Sequence, residues 1–301
     1  MCTIVSIPKP CVGLTAVHQA NALLSWRSVY PDAKIYLYGN EEGVGALAKS
    51  YDAVAVTSCQ VSKFGTPMLD FVFDDLQSRE ATGPIFFTNA DMIYGPDAKI
   101  LERSSIWKGA LVVGTRFNID LNQALVSAAD IPAIASGARK RGDTSQFYGS
   151  DYFVFESNRA FRKLPPFAVG RIGWDNWMIY HARRCGLKVI DASPSVTALH
   201  QNHGYAHIPN KAEGSPWAGP ESDENLKYLP PTIYNILDAT HRLKGCNLSK
   251  ARFRQAVWHK LGHDKEQAGL KHWRWRIAVG ILGRLDQRGL FPYTPNPDEW
   301  T

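Results

Sequence analysis

The chain has 301 residues, 45% hydrophobic and 21% charged, the composition of an ordinary globular protein, arranged as one large domain or one domain plus an extension. A formal net charge of +6 favours anionic partners without choosing among phosphate-bearing ligands, acidic glycans, anionic lipid and nucleic acid. Five scattered cysteines with no CxxC pair argue against a zinc site or a disulfide framework; reduced thiols in a cytoplasmic protein, with no signal peptide and no membrane span, are the expectation.

Thr3 to Ile7 is a short β-rich run broken by Pro8-Lys9-Pro10. A helical pattern follows from about Leu14 to Val29, with Val17, Ala20, Leu23, Leu24 and Val29 on an approximate stripe. Ile35 to Tyr38 and Ala53 to Val56 read as the next strands, and Pro67 to Arg79 as a helix begun by proline in its first turn. Strands alternating with helices predict βαβ units and a mainly parallel sheet. The first strand is followed by neither GxGxxG nor GxxxxGKS/T, which argues against a dinucleotide-binding Rossmann fold and a P-loop.

Ile85-Phe86-Phe87 reads as a strand buried on both faces, ending abruptly in Thr88-Asn89-Ala90-Asp91 before a turn at Gly95-Pro96-Asp97. The carboxyl end of such a strand is where open α/β sheets bind ligands. In extended chain Asn89 and Asp91 point the same way, and an amide oxygen with a carboxylate suits a hard divalent cation holding a diphosphate. Capping of the following turn by Asp91 is the alternative.

Ala110 to Thr115 is a further strand leading into Arg116-Phe117-Asn118-Ile119-Asp120. Ala129 to Ser150, containing Gly137-Ala138-Arg139-Lys140-Arg141-Gly142, reads as an exposed basic loop; without interleaved aromatics it lacks the signature of base stacking, and no nucleic-acid partner is expected. Asp151 opens a strand through Phe155, and Gly173-Trp174-Asp175-Asn176-Trp177 opens a helix stopped by Gly186. Asp175 is placed either as an N-cap or as a base facing the sheet edge, and the flanking indoles either as sugar platforms or as core. Leu187 to Asp191 is another strand. His200, His203 and His207 then fall within eight residues, at a spacing that suits a loop offering one imidazole to an oxygen-held metal better than a zinc helix.

Strand–NAD–MI, the DYFVF strand, GWDNW at a helix start and the following HQNHGYAH together resemble a GT-A glycosyltransferase, a nucleotide-diphospho-sugar transferase, over roughly the first two-thirds of the chain. The resemblance implies an α/β, GT-A-like (Rossmann-like) fold: a mainly parallel sheet flanked by helices, with a helical C-terminal extension. It implies a metal-assisted, inverting hexosyl- or pentosyltransferase of polysaccharide biosynthesis, taking a UDP- or GDP-sugar donor and a glycan or lipid-linked acceptor. Asn89 replaces the first acid of the family's DxD motif, so Asp91 carries over as the ligand of Mn2+ or Mg2+, with His203, or next His200, completing it. Asp175 inherits the role of catalytic base. Arg116, Asp120, Asp151 and Trp174 fall around the sugar or acceptor, and Pro8, Asn40, Thr66 and Asn89 on the donor side. A sugar nucleotidyltransferase and a non-catalytic carbohydrate- or membrane-binding module are the rival readings.

Lys211 to Pro231 is rich in Gly, Pro and charge, which divides the chain into a catalytic part (1–210) and a linker with a basic helical extension (211–301). Leu270 to Leu285 is a cationic, Trp-bearing helical pattern. It would either lie peripherally on an anionic membrane at the cytoplasmic face or pack on the catalytic domain.

Overall fold

Ile85, Phe86 and Phe87 lie in the middle of a large sheet, and their side chains alternate between its two faces as a strand requires: Phe86 joins one apolar cluster with Ile4, Trp26 and Val154, while Ile85 and Phe87 join the other with Val5, Phe153 and Trp174. The computed structural model describes residues 1–79, 83–142, 150–156, 160–203, 218–230 and 233–251. In chain order these form β1 (Thr3–Ser6), α1 (Gly13–Val29), β2 (Lys34–Tyr38), α2 (Val44–Ser50), β3 (Val54–Val56), α3 (Leu69–Ser78), β4 (Pro84–Thr88) and β5 (Met92–Tyr94). Next come α4 (Ser104–Trp107), β6 (Ala110–Val113), β7 (Phe117–Ile119), α5 (Ile131–Arg141), β8 (Tyr152–Glu156), α6 (Trp174–Arg184) and β9 (Lys188–Asp191). The last are β10 (Ala198–Gln201), α7 (Pro220–Leu226), β11 (His241–Lys244) and β12 (Asn247–Lys250).

Nine strands make the large sheet, in the order β12-β11-β9-β6-β8-β4-β1-β2-β3. All run parallel except β8, inserted antiparallel between β4 and β6, and β12, the return strand of the terminal hairpin. The expected α/β fold with a mainly parallel sheet flanked by helices is therefore present. A second sheet, β5-β10-β7, stands beside the first. Its β5 follows β4 after only Asn89, Ala90 and Asp91, so those three residues carry the chain from one sheet into the other.

Several local expectations change. Residues 131–141 are helical, not loop: Pro132 opens α5 and Gly142, at φ +70°, ends it, while Ile131, Ala135 and Ala138 cover the small sheet. β5 and β7 are three-residue strands too short to show a period. Pro67 lies outside α3 and bridges Val61. The large sheet continues beyond residue 210, since β11 pairs with β9 through His241 and Ile190; the helical pattern at 270–285 lies outside the described residues. On α1 the buried face holds His18, Gln19, Asn21 and Ser25 along with Leu23 and Trp26. These polar side chains tie the helix to the loops that build the site. Gly186, at φ +72°, stops α6 as expected, its N–H and that of Leu187 reaching back to Arg183 and Ala182.

Gly114, just after β6, has no room for a side chain: a Cβ there would stand 1.9 Å from the Tyr152 hydroxyl oxygen and 2.7 Å from Cζ. Tyr152 is fully buried on β8. Gly114→Ala should therefore destabilise the protein by about 1–3 kcal/mol through overpacking, measured by urea denaturation. Tyr152→Phe, which removes the nearest atom, should recover part of that loss in the double variant.

Candidate functional site

Asp91 is buried at the end of the β4–β5 connection, and three basic side chains gather on its carboxylate. His203 Nε2 lies 3.0 Å from Oδ2, Lys9 Nζ 3.4 Å and His200 Nε2 4.0 Å, while Lys9 Nζ is itself 3.1 Å from His203 Nε2. Each arrives from a different element. Lys9 follows β1, and its backbone is gripped at both ends by buried Gln19 of α1, which accepts from its N–H at 2.7 Å and donates to its carbonyl at 3.0 Å. His200 stands on β10, and His203 two residues beyond it. Gln201 of β10 donates to the Asp91 carbonyl at 3.0 Å and to the His18 carbonyl at 2.8 Å, and Asn21 donates to Gln201 at 2.9 Å.

Burial pushes the Asp91 carboxyl up, but the His203 hydrogen bond and the Lys9 charge outweigh it and hold the group well below the usual carboxylate range. Burial pushes His200 down to about 4, so that imidazole is neutral at neutral pH and adds no counter-charge, leaving its lone pair free for coordination. Two buried polar atoms here, Asp91 Oδ1 and His200 Nδ1, have no hydrogen-bond partner among the described residues. Orphaned polar atoms of this kind are the mark of a site built to take something more. The ligand atoms of Asp91, His200 and His203 all lie within 4.8 Å of one another. One carboxylate with two imidazoles fits a divalent transition ion such as Mn2+ better than Mg2+, which prefers an all-oxygen shell.

Asn89 does not share this cluster. After Thr88 the chain leaves the strand and turns, so the alternation that would align Asn89 with Asp91 does not apply. The Asn89 amide instead donates to Asp151 Oδ1 at 2.7 Å, and the Asn89 N–H to the Asp151 carbonyl at 3.0 Å. Arg116 forms an ion pair with Asp151 Oδ2. The second carboxylate of this sheet edge, Asp151, is thus held between an amide and a guanidinium.

Asp175 is the second residue of α6; Gly173, left-handed at φ +107°, takes the cap position, where a Cβ would meet Leu229 at 2.8 Å. The expected N-cap role is therefore filled by another residue. Burial, with the nearby Asp151 charge acting in the same direction, raises the Asp175 carboxyl to about 6 against hydrogen bonds from the backbone N–H groups of Asn176, Asp175 and Gly173. Trp174, expected as a sugar platform, is instead packed into the core, its ring centroid 5.4 Å from that of Phe87 in an edge contact and 5.3 Å from that of Phe153. An indole beside a helix start that lies directly on a sheet has its faces claimed by the strands.

Asp120 is exposed at the rim and accepts from the Asn202 amide at 2.8 Å, next to His203. Pro8 is buried beside Lys9, and Asn40 is exposed after β2. Thr66 belongs to a separate buried network: Glu221 accepts from Thr66 at 2.9 Å and from Ser62, and pairs with Arg171 at 2.7 Å, while Arg171 also donates to Thr66 at 3.1 Å. Its hydroxyl is engaged in joining the loop before α3, the loop before α6 and α7. Lys9, Gln19 and Gln201 carry no motif that marks them in the sequence. For Lys9 the available signal was its place directly after the first parallel strand, at the sheet's carboxyl edge.

No protein-family model matches the chain, and no curated protein matches it. Among solved structures it overlaps the crystal structure of GalNAc-T7 with UDP, GalNAc and Mn2+, at 11% identity and a TM-score of 0.48, over 75% of this chain and 47% of that one. The chain therefore spans about half the length of that structure. It also overlaps a protein from Bacillus anthracis described as a glucose-1-phosphate thymidylyltransferase, in complex with a sucrose, at 10% identity and a TM-score of 0.37, over 66% of this chain and 89% of that one. Both TM-scores lie below 0.5, and the case for function lies in this chain's own residues.

Removing one member of the Thr66 network should be costly in stability. Arg171→Met leaves the Glu221 carboxylate buried without its counter-charge, and a loss of about 3–5 kcal/mol is expected by denaturant titration. Adding Glu221→Gln should restore much of it. A loss under about 1 kcal/mol in Arg171→Met would show that the pair is not buried in solution.

Proposed function

We propose that this protein is a glycosyltransferase that moves a sugar from a nucleotide-diphosphate sugar, UDP- or GDP-linked, to a hydroxyl of a glycan or lipid-linked acceptor, with inversion. The observation that carries the reading is the gathering, at the carboxyl edge of a mainly parallel sheet, of Asp91, His200, His203 and Lys9, with the Asp151 charge acting both on His200 and on a further carboxyl, Asp175, which is raised to about 6. The order of the motifs that deliver them supports the same reading. A divalent cation held by Asp91, His200 and His203 would neutralise the negative charge of a bound diphosphate.

The chain's own residues supply the rest. Asp175, ionised above about pH 6, accepts the proton of the acceptor hydroxyl as that oxygen forms its bond to the anomeric carbon. The bond from that carbon to the diphosphate oxygen breaks, and its electron pair leaves with the nucleoside diphosphate. Asp151, with its charge matched by Arg116 and its orientation fixed by Asn89, is positioned to hold sugar hydroxyls. Asp120 at the rim is assigned to the acceptor, and Pro8 and Asn40 to the nucleoside side.

The test is Asp175→Asn. It should fold and bind nucleoside diphosphate like the parent, yet transfer sugar at least about a hundredfold more slowly, the low end of the range for general base catalysis. Parent kcat/KM should rise with pH through about 6 and level above it, because the base is active when ionised. Stability runs the other way: a carboxyl whose folded value is raised favours the protonated folded state, a contribution present at low pH and lost as pH rises through about 6. Asp175→Asn should lose that slope. Near-normal turnover in Asp175→Asn, or release of pyrophosphate in place of nucleoside diphosphate, would overturn the proposal.

A further inference from the structure

We infer that the Lys9 ammonium is a resident cation of the Asp91 site that a divalent metal must displace, and that the displaced ammonium then serves the donor's diphosphate. The inference rests on the metal reading above. Its geometric basis is that Lys9 Nζ already contacts both first-choice ligands, at 3.4 Å from Asp91 Oδ2 and 3.1 Å from His203 Nε2. The ammonium thus stands against the same two atoms, Asp91 Oδ2 and His203 Nε2, that a metal would need as ligands. A metal coordinated by Asp91 and His203 would also bring a double positive charge against the ammonium, and like charges at such separations repel strongly away from bulk water.

The backbone of Lys9 cannot yield. Gln19, itself buried, holds the Lys9 N–H and carbonyl together, and proline flanks the residue on either side. Displacement must therefore come from the side chain alone, by rotation of its flexible stem. The side chain is 31% exposed, so it is not fully enclosed and its flexible stem can rotate. An ammonium tethered there is in reach of the anionic group that the metal binds. It has three donors and no acceptor, and it makes strong contacts to phosphate oxygens. Without metal, Lys9 keeps the buried carboxylate from standing uncompensated, which would be costly. The same residue thus stabilises the empty site and assists the loaded one.

The experiment compares the parent, Lys9→Met and Lys9→Arg by calorimetric titration with Mn2+, and then with UDP and GDP at saturating Mn2+. The expected result is that Lys9→Met binds Mn2+ at least about fivefold more tightly than the parent, because the competing cation is gone. The same variant should bind nucleoside diphosphate about tenfold more weakly, since a charge-assisted contact is lost. Lys9→Arg, which keeps a cation, should stay near the parent in Mn2+ affinity. Lysine labelling with mass spectrometry on the unaltered protein gives an independent readout: Mn2+ alone should increase modification of Lys9, and nucleoside diphosphate added afterwards should suppress it.

If the parent binds Mn2+ and Lys9→Met binds it equally or more weakly, the displacement is wrong while the metal reading stands. Binding of Mn2+ by Lys9→Met but not by the parent supports the inference in its strongest form. If neither binds Mn2+, both the inference and the metal reading fail. Should Lys9→Met not fold, unchanged labelling of Lys9 with and without Mn2+ overturns the inference on the parent alone.

Discussion

Asp91 is a carboxylate placed where a carboxylate is expensive. It is buried at the point where the chain passes from the large sheet into the small one, and a charge taken out of water must be paired or it unfolds its surroundings. The fold answers from three directions. Lys9 brings a charge from the loop after β1 and His203 a hydrogen bond from the residues following β10, while His200 of β10, uncharged at neutral pH, stands 4.0 Å away, so both sheets have to be in place before Asp91 is compensated. The connection between β4 and β5 is three residues long, which leaves Asp91 almost no freedom to escape to solvent. Site and sheet junction are therefore one structural problem with one solution.

Helix α1 makes that solution rigid. Its buried face is not the apolar stripe that simple periodicity selects but a mixture: Leu23 and Trp26 pack, while Gln19 holds Lys9, Asn21 holds Gln201 and the Leu125 N–H, and Ser25 accepts from the Tyr94 N–H. Trp26 does both, burying its ring and donating its indole N–H to the Met92 carbonyl at 2.8 Å. The loops at a sheet's carboxyl edge carry backbone groups with no strand partner, and these side chains satisfy them. The helix thus trades part of its hydrophobic contact for control over where Lys9, Asp91 and the β10 histidines stand.

What could be read in the sequence follows from how local each signal is. Ile85-Phe86-Phe87 and Tyr152 to Phe155 are apolar enough to be strands in any context, and Gly186 after a basic last turn marks a helix end by backbone conformation alone. Asp91 and His203, which the structure brings together, stand out in the sequence because a carboxylate ending a buried strand and a histidine cluster are both rare. Residues 131–141 were misread as loop because small and basic residues hide a helix whose buried face is only Ile131, Ala135 and Ala138. Asn89 was misplaced because a turn beginning one residue earlier reverses which neighbours a side chain meets. Sequence leaves Trp174 open between sugar platform and core because burial is a tertiary property, decided by Phe87 and Phe153 far away in sequence. Lys9 carried no local mark of its partner 82 residues on.

The two remaining carboxylates show how one sheet edge divides labour by environment alone. Asp151 and Asp175 are close enough for the charge of one to act on the other. Asp151 has a guanidinium and an amide, so its charge is matched and its orientation fixed. Asp175, among the described residues, is met by backbone N–H groups at a helix start, whose pull is too weak to offset its loss of water, and the Asp151 charge pushes in the same direction as burial. Two like groups whose surroundings drive them apart are the usual origin of distinct acid–base roles. A carboxyl poised near 6 gives up and takes a proton close to neutral pH, as a general base must. Exchanging the partners would exchange the roles: were Arg116 aimed at Asp175, Asp151 would be the group left to burial.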